Sequence, residues 1–244
     1  MLTTLVFGSI GTLAETSELQ RRAFNAAFRE AGLEWDWETG LYQQLLAVPG
    51  GRSRIQQYAE QQDAPLDVAA VEALHTRKSA LYQEMLGAGE LVLRPGVARL
   101  LREALDNGLQ VALASGTSAA NIQAIADAVG DALPLKEFAV VLDASSNAAP
   151  KPAPDVYALC LQRLGAHAGG AVAVEDSAVS LSSAVTADLV TVATPGAYVG
   201  AQDFSAATAV LADLDAPEAL ASPVALPPGG ADVAWLRDLV ASRG

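Results

Sequence analysis

Four short stretches of this chain carry the groups, or the turn, around which chemistry could be built. Ser115-Gly116-Thr117-Ser118 places three hydroxyls just ahead of a segment with helical spacing. Hydroxyls and free N–H groups at a helix N-terminus bind anions, and the same residues serve equally as caps, through Thr117 or Ser118. Lys151 is one of only three lysines and sits in Pro150-Lys151-Pro152-Ala153-Pro154, a loop stiffened by proline. It is either a solvated surface cation or a point charge held in place. Glu175-Asp176-Ser177 puts two adjacent carboxylates after an apolar run, where they can hold a hard cation such as Mg2+ or cap the next helix. The fourth stretch, Gly8-Ser9-Ile10-Gly11, ends the run Leu5-Val6-Phe7 and carries no ionisable side chain. It lacks the glycine spacing and downstream acid of a dinucleotide loop, and no Gly-Lys-Ser/Thr follows to make a phosphate-cradling P-loop.

The elements needed to bring these stretches together are readable from periodicity. Thr3 to Phe7 is a short β-branched and aromatic strand stopped by glycine. From about Ser17 the spacing turns helical: Leu19, Ala23, Phe24, Ala27, Phe28 and Ala31 share a face, and Gly32 ends the run. Further helices are expected over Trp37 to Ala47, Ser53 to Gln62 and Leu66 to Leu86, the last as one helix or two. Arg94-Pro95-Gly96 opens a helix with Val97, Leu100, Leu101 and Leu105 on its apolar face. Strands are then expected at Gln110 to Ala114, Ala139 to Leu142, Ala171 to Val174, Val190 to Ala193 and Ala209 to Leu211. Helices alternate with them at Ala119 to Val129, Asp155 to Leu164 and Ser180 to Thr186, and Val233 to Ala241 closes the chain. Apolar strands alternating with helices imply an α/β fold with a parallel sheet covered on both faces. In such a sheet a ligand sits beyond the carboxyl ends of the strands, where all four stretches fall.

Composition narrows the function classes. Of 244 residues, 51% are apolar and 18% charged, which suits a globular chain. The net charge of −13 argues against nucleic acid or an anionic membrane as partner, because both need clustered basic residues. It leaves a phosphorylated small molecule open, since that requires only a local set of donors. Apolar runs fall short of the roughly 18 residues that span a bilayer, and no signal peptide is expected. Cys160 is the single cysteine, so the expected setting is the reducing cytoplasm. His75 and His167 have no ligand-type neighbours at zinc spacing. Nothing in the sequence identifies a protein partner.

Taken together the stretches resemble the haloacid dehalogenase (HAD) superfamily, in its β-phosphoglucomutase and CbbY-like branch of sugar-phosphate phosphatases. The resemblance runs through Thr12-Leu13-Ala14-Glu15-Thr16, Arg21-Arg22-Ala23-Phe24-Asn25, Gly50-Gly51-Arg52-Ser53-Arg54, Leu93-Arg94-Pro95-Gly96, Lys151-Pro152-Ala153-Pro154-Asp155 and Glu175-Asp176-Ser177. It implies a Rossmann-like core over residues 1–14 and 93–244, with an inserted all-helical cap over 15–92. It also implies phosphate contacts from Ser115, Gly116 and Lys151, and Mg2+ ligation by Glu175, Asp176 and the Ile10 backbone carbonyl. Arg52, Arg54 and Gln20, the last where the branch often carries His, become the cap's substrate-facing residues.

The resemblance also exposes what is missing. Its first strand ends Asp-x-Asp-Gly-Thr, the first Asp attacking phosphorus and binding Mg2+, the second serving as acid and base. Those positions are Gly8 and Ile10 here. Loss of a covalent nucleophile costs on the order of 10⁶ in turnover, and loss of the acid/base about 10²–10⁴, though the two do not simply add. The expectation is a non-catalytic homologue with weakened or absent Mg2+, able at most to bind a phosphorylated small molecule or to act through a partner. Two other readings stand beside it: an active phosphohydrolase with a non-standard nucleophile, Ser9 being nearest, and a nucleotide-binding module built on the glycine turn.

Overall fold

The computed structural model describes residues 1–8, 10–46, 48, 50–146 and 148–243. Its organising element is a six-stranded, wholly parallel sheet in the order β3-β2-β1-β4-β5-β6. The strands are β1 (Thr4–Phe7), β2 (Gln110–Ala114), β3 (Val140–Leu142), β4 (Ala171–Glu175), β5 (Val190–Ala193) and β6 (Ala209–Val210). Every residue of β1, β4 and β5 is buried, as near-continuous apolar strands require when helices cover both faces. The order reverses about β1, so the crevice for a ligand opens beyond the carboxyl ends of β1 and β4.

By chain contacts the protein divides into two compact units, 1–15 with 92–244, and 16–91. The first holds the sheet together with α1 (Ile10–Leu13), α6 (Val97–Asp106), α7 (Ala119–Val129), α8 (Asp155–Leu164), α9 (Ala178–Thr186) and α10 (Val233–Ala241). The second is built from α2 (Thr16–Glu30), α3 (Thr39–Leu45), α4 (Gly51–Gln61) and α5 (Val68–Gly87). Residues 68–87 form one helix, capped by Asp67, whose carboxylate accepts from the Ala70 amide at 2.7 Å. Among the described residues no helix is long and apolar enough to cross a membrane.

One expected feature of the helical unit differs. The second helix begins at Thr39 rather than Trp37. Asn25 takes both backbone groups of Trp37, its Oδ1 accepting from the Trp37 amide at 2.8 Å and its Nδ2 donating to the Trp37 carbonyl at 3.1 Å. That fixes the backbone outside the helix. The expected end of this helix at Ala47 lies outside the described residues. Trp37 itself is fully buried. Phe24, Phe28, Tyr42 and Tyr58 surround it with ring centroids 4.6–5.8 Å away, the core of this unit.

Candidate functional site

The parallel register determines what meets at the end of β1. Phe7 is level with Leu113 on one side and Val174 on the other, so the next residues along are Gly8, Ala114 and Glu175. The Gly8 amide continues the ladder to the Val174 carbonyl at 3.0 Å. Glu175 is therefore the last residue of β4 and fully buried, not a cap for α9, whose first turn receives no side-chain cap from Ser177.

Gly8 is in close contact with its neighbours. A β-carbon there would lie 1.9 Å from Glu175 Oε1 and 2.2 Å from the Tyr157 hydroxyl. The Glu175 carboxylate thus fills the space a side chain at position 8 would claim. Lys151 completes the group: its ammonium donates to the Gly8 carbonyl at 2.5 Å, to Glu175 Oε1 at 2.8 Å and to the Tyr157 hydroxyl at 3.2 Å. The Lys151 side chain is 12% exposed and that of Glu175 0%, so this is a buried pair. Burial pushes Glu175 up to about 7 against the pull of Lys151, and neighbouring Asp176 adds to the rise. Tyr157 lies on α8, and no motif in the sequence marks it.

Asp176 packs against the other glycine of the turn. A β-carbon on Gly11 would come within 2.1 Å of Asp176 Oδ2, so only glycine permits this approach. Arg94 ties the turn to the loop after β5, donating to the carbonyls of Gly11 at 3.3 Å, Thr194 at 2.7 Å and Pro195 at 3.0 Å. The Ile10 carbonyl accepts from the Ala14 amide at 2.8 Å, within α1. Ser9 lies outside the described residues.

On the far side of β1, Ser115, Gly116 and Lys151 line one cavity of about 270 Å³, together with Asp143, Ser146 and Val156. Ser115 Oγ accepts from the Thr117 amide at 3.2 Å, and Ser118 caps α7 through the Asn121 amide. Within this stretch Ser118 caps, and Ser115 and Gly116 line the cavity. Lys151 belongs to both the cavity wall and the buried pair.

The cap residues singled out in the sequence are engaged within the helical unit. Arg54 is 9% exposed; its guanidinium donates to the carbonyls of Leu45 at 2.9 Å and Val48 at 3.1 Å, and lies 5.4 Å from the Tyr42 ring centroid. It is a structural clamp rather than a group presented to a ligand. Arg52 is exposed and forms a two-pronged ion pair with Glu72, one contact at 2.8 Å. Gln20 accepts from Lys78, a buried lysine that the sequence did not single out, whose ammonium lies 4.7 Å from the Phe24 ring centroid.

A divalent cation fits this donor set poorly. Mg2+ asks for near-octahedral oxygen at about 2.0–2.1 Å. Here Glu175 Oε1 is committed to Lys151 and the Ile10 carbonyl to its helix. Glu175 Oε2 is the buried oxygen with no partner, and Asp176 is the second carboxylate. Among the described residues no cluster of three or more acidic, histidine or cysteine side chains could hold a metal.

Residues 2–188 match the haloacid dehalogenase-like hydrolase family. The chain is 41% identical over 245 residues to protein CbbY of Cupriavidus necator, covering 98% of this chain and 94% of that protein. CbbY from Rhodobacter sphaeroides, solved in complex with phosphate, superposes with a TM-score of 0.72 at 35% identity, over 87% of this chain and 95% of that one. An aspartate-to-asparagine mutant of the same protein, solved with xylulose-1,5-bisphosphate, matches equally. In fold alone the chain is also similar to β-phosphoglucomutase from Clostridium difficile, with a TM-score of 0.67 and 14% identity over 100% of this chain and 99% of that one.

Proposed function

The chain belongs to the haloacid dehalogenase-like hydrolase family and is CbbY-like within it, and we propose that it keeps the family's phosphate-contacting groups without its phosphoryl-transfer chemistry. The observation that carries this is Gly8, a residue with no side chain at the carboxyl end of the central strand, followed two positions on by Ile10. A covalent mechanism needs a nucleophile that can reach phosphorus and a group to protonate the leaving oxygen. Glu175 is the carboxylate nearest to position 8, but it is fully buried and paired with Lys151, so it is not presented to a substrate.

What supports ligand binding is the cavity shared by Ser115, Gly116 and Lys151, where a hydroxyl, a helix N-terminus and an ammonium offer donors to phosphoryl oxygens. The class of ligand is a phosphorylated small molecule. The CbbY structure with a sugar bisphosphate favours a sugar phosphate, and the helical unit, residues 16–91, serves as its cap. Arg52, on α4, carries an exposed guanidinium that Glu72 holds in a two-pronged ion pair, so a ligand would compete with that carboxylate, while Arg54 is spent on carbonyl groups.

The test is release of inorganic phosphate from a panel of sugar mono- and bisphosphates with MgCl2. The expected rate lies at least about 10⁴-fold below that of an intact relative, the loss of a nucleophile alone being worth more than that. Turnover at an ordinary enzymatic rate, on the order of 10 per second, would overturn the proposal.

A further inference from the structure

Three oxygens converge on the Lys151 ammonium: the Gly8 carbonyl, Glu175 Oε1 and the Tyr157 hydroxyl. An ammonium has three N–H donors, so all are used within the protein. The Tyr157 ring centroid lies 4.9 Å from Nζ and covers the cation. A side chain at position 8 requires this group to shift, because a β-carbon would sit 1.9 Å from the oxygen that Lys151 holds. Lys151 is paired with Glu175, and the charge of Asp176 acts on the Arg94 guanidinium, so both carboxylates already have a cation near them and attract a doubly charged ion weakly.

We propose that the Lys151 ammonium takes the place of a divalent cation in this centre, with Glu175 as its counter-ion, so that phosphoryl oxygens are recognised without metal. The proposal rests on the reading that the Ser115–Lys151 cavity takes a phosphorylated ligand, and adds how the ligand is held. Lys151 lies in the wall of that cavity, so an incoming phosphoryl oxygen competes with Glu175 for the same N–H donors. Glu175 is therefore an internal rival of the ligand rather than a bridge to it.

Isothermal titration of the full chain with inorganic phosphate, in EDTA and then in MgCl2, separates the cases. The parent protein and the variants Glu175→Gln and Lys151→Ala are compared, with thermal melts to show that each is folded. Phosphate affinity is expected to be the same within about twofold with and without Mg2+, and MgCl2 or MnCl2 alone should give no saturable binding. Glu175→Gln keeps the shape but removes the competing charge, and should tighten phosphate at least about tenfold; Lys151→Ala should abolish binding. Phosphate binding that requires Mg2+, or that weakens in folded Glu175→Gln, would overturn this proposal while leaving the phosphate-ligand reading intact. Folded proteins that bind no phosphate, parent and Glu175→Gln alike, would overturn both.

Discussion

Adding one methyl group at Gly8 is the most direct test of how this centre is packed. In ordinary strand positions a Gly→Ala change stabilises by roughly 0.4–1 kcal/mol, because it restricts the unfolded chain. Gly8 does not adopt the left-handed backbone that penalises alanine, so no conformational strain is expected. The obstacle is space. The new β-carbon would lie 1.9 Å from Glu175 Oε1, 2.2 Å from Glu175 Cδ and 2.2 Å from the Tyr157 hydroxyl, all closer than the 3.0 Å that real β-carbons respect. Glu175 can swing aside, but then a fully buried carboxylate leaves Lys151. Tyr157 is fully buried in the core formed with Ala112, Ala114, Leu142 and Cys160, so its ring has little room to retreat.

Overpacking of this kind costs about 1–3 kcal/mol, and separating a buried ion pair about 3–5 kcal/mol. If Lys151 follows Glu175 only the overpacking cost applies; if the two part, the costs together reach about 4–8 kcal/mol. Because the Glu175 carboxylate and Lys151 can move as a pair, Gly8→Ala is expected to lower stability by about 1–3 kcal/mol in guanidinium unfolding followed by far-UV circular dichroism. Tyr157→Phe removes one of the two groups in the way, so the same methyl should cost less in that background, with a coupling of about 0.5–3 kcal/mol. A Gly8→Ala cost below about 0.5 kcal/mol, or an identical cost in the Tyr157→Phe background, would refute the packing argument.

Two further predictions concern the helical unit. Asn25→Ala removes the acceptor for the Trp37 amide and one of two donors to its carbonyl, Arg21 remaining, and should cost about 1–3 kcal/mol, read as a lower unfolding midpoint and a changed tryptophan emission. Burial, with Arg54 nearby, brings Lys78 down to about 8 from its usual 10.5. The unfolded chain then binds more protons than the folded one between those values, so stability should rise as pH climbs from about 8 towards 10.5. Lys78→Met should remove that rise and be at least as stable as the parent at pH 7; an unchanged slope in the variant would show that Lys78 is not its source.

The strands and most helices were legible because their signals are local. Apolar runs bounded by glycine and proline marked β1, β2 and β4, and helical spacing marked α2 and α7 within a residue or two. Features set by distant partners were not. Trp37 stays out of α3 because a side chain twelve residues earlier holds its backbone, and no periodicity records that bond. Arg54 reads as a ligand-facing cation in Gly50-Gly51-Arg52-Ser53-Arg54, yet its guanidinium satisfies two carbonyl groups at the end of α3 and just beyond it. Tyr157 carried no sequence signal at all, since a tyrosine two residues into a helix is ordinary until its hydroxyl is seen beside Lys151.

The turn after β1 shows why a motif read by substitution alone misleads. In the sequence, the family resemblance sets Gly8 where a carboxylate is expected. In the fold, the space a side chain at position 8 would claim is occupied by a carboxylate from the neighbouring strand, which Lys151 holds from the cavity wall. The loss at position 8 and the place of Glu175 are one structural fact, since parallel pairing of β1 with β4 brings the two positions side by side. Putting a carboxylate back at position 8 would set two acids and one lysine in a space that now holds one of each. The like charges would meet in a buried setting, where each disfavours the other's ionisation.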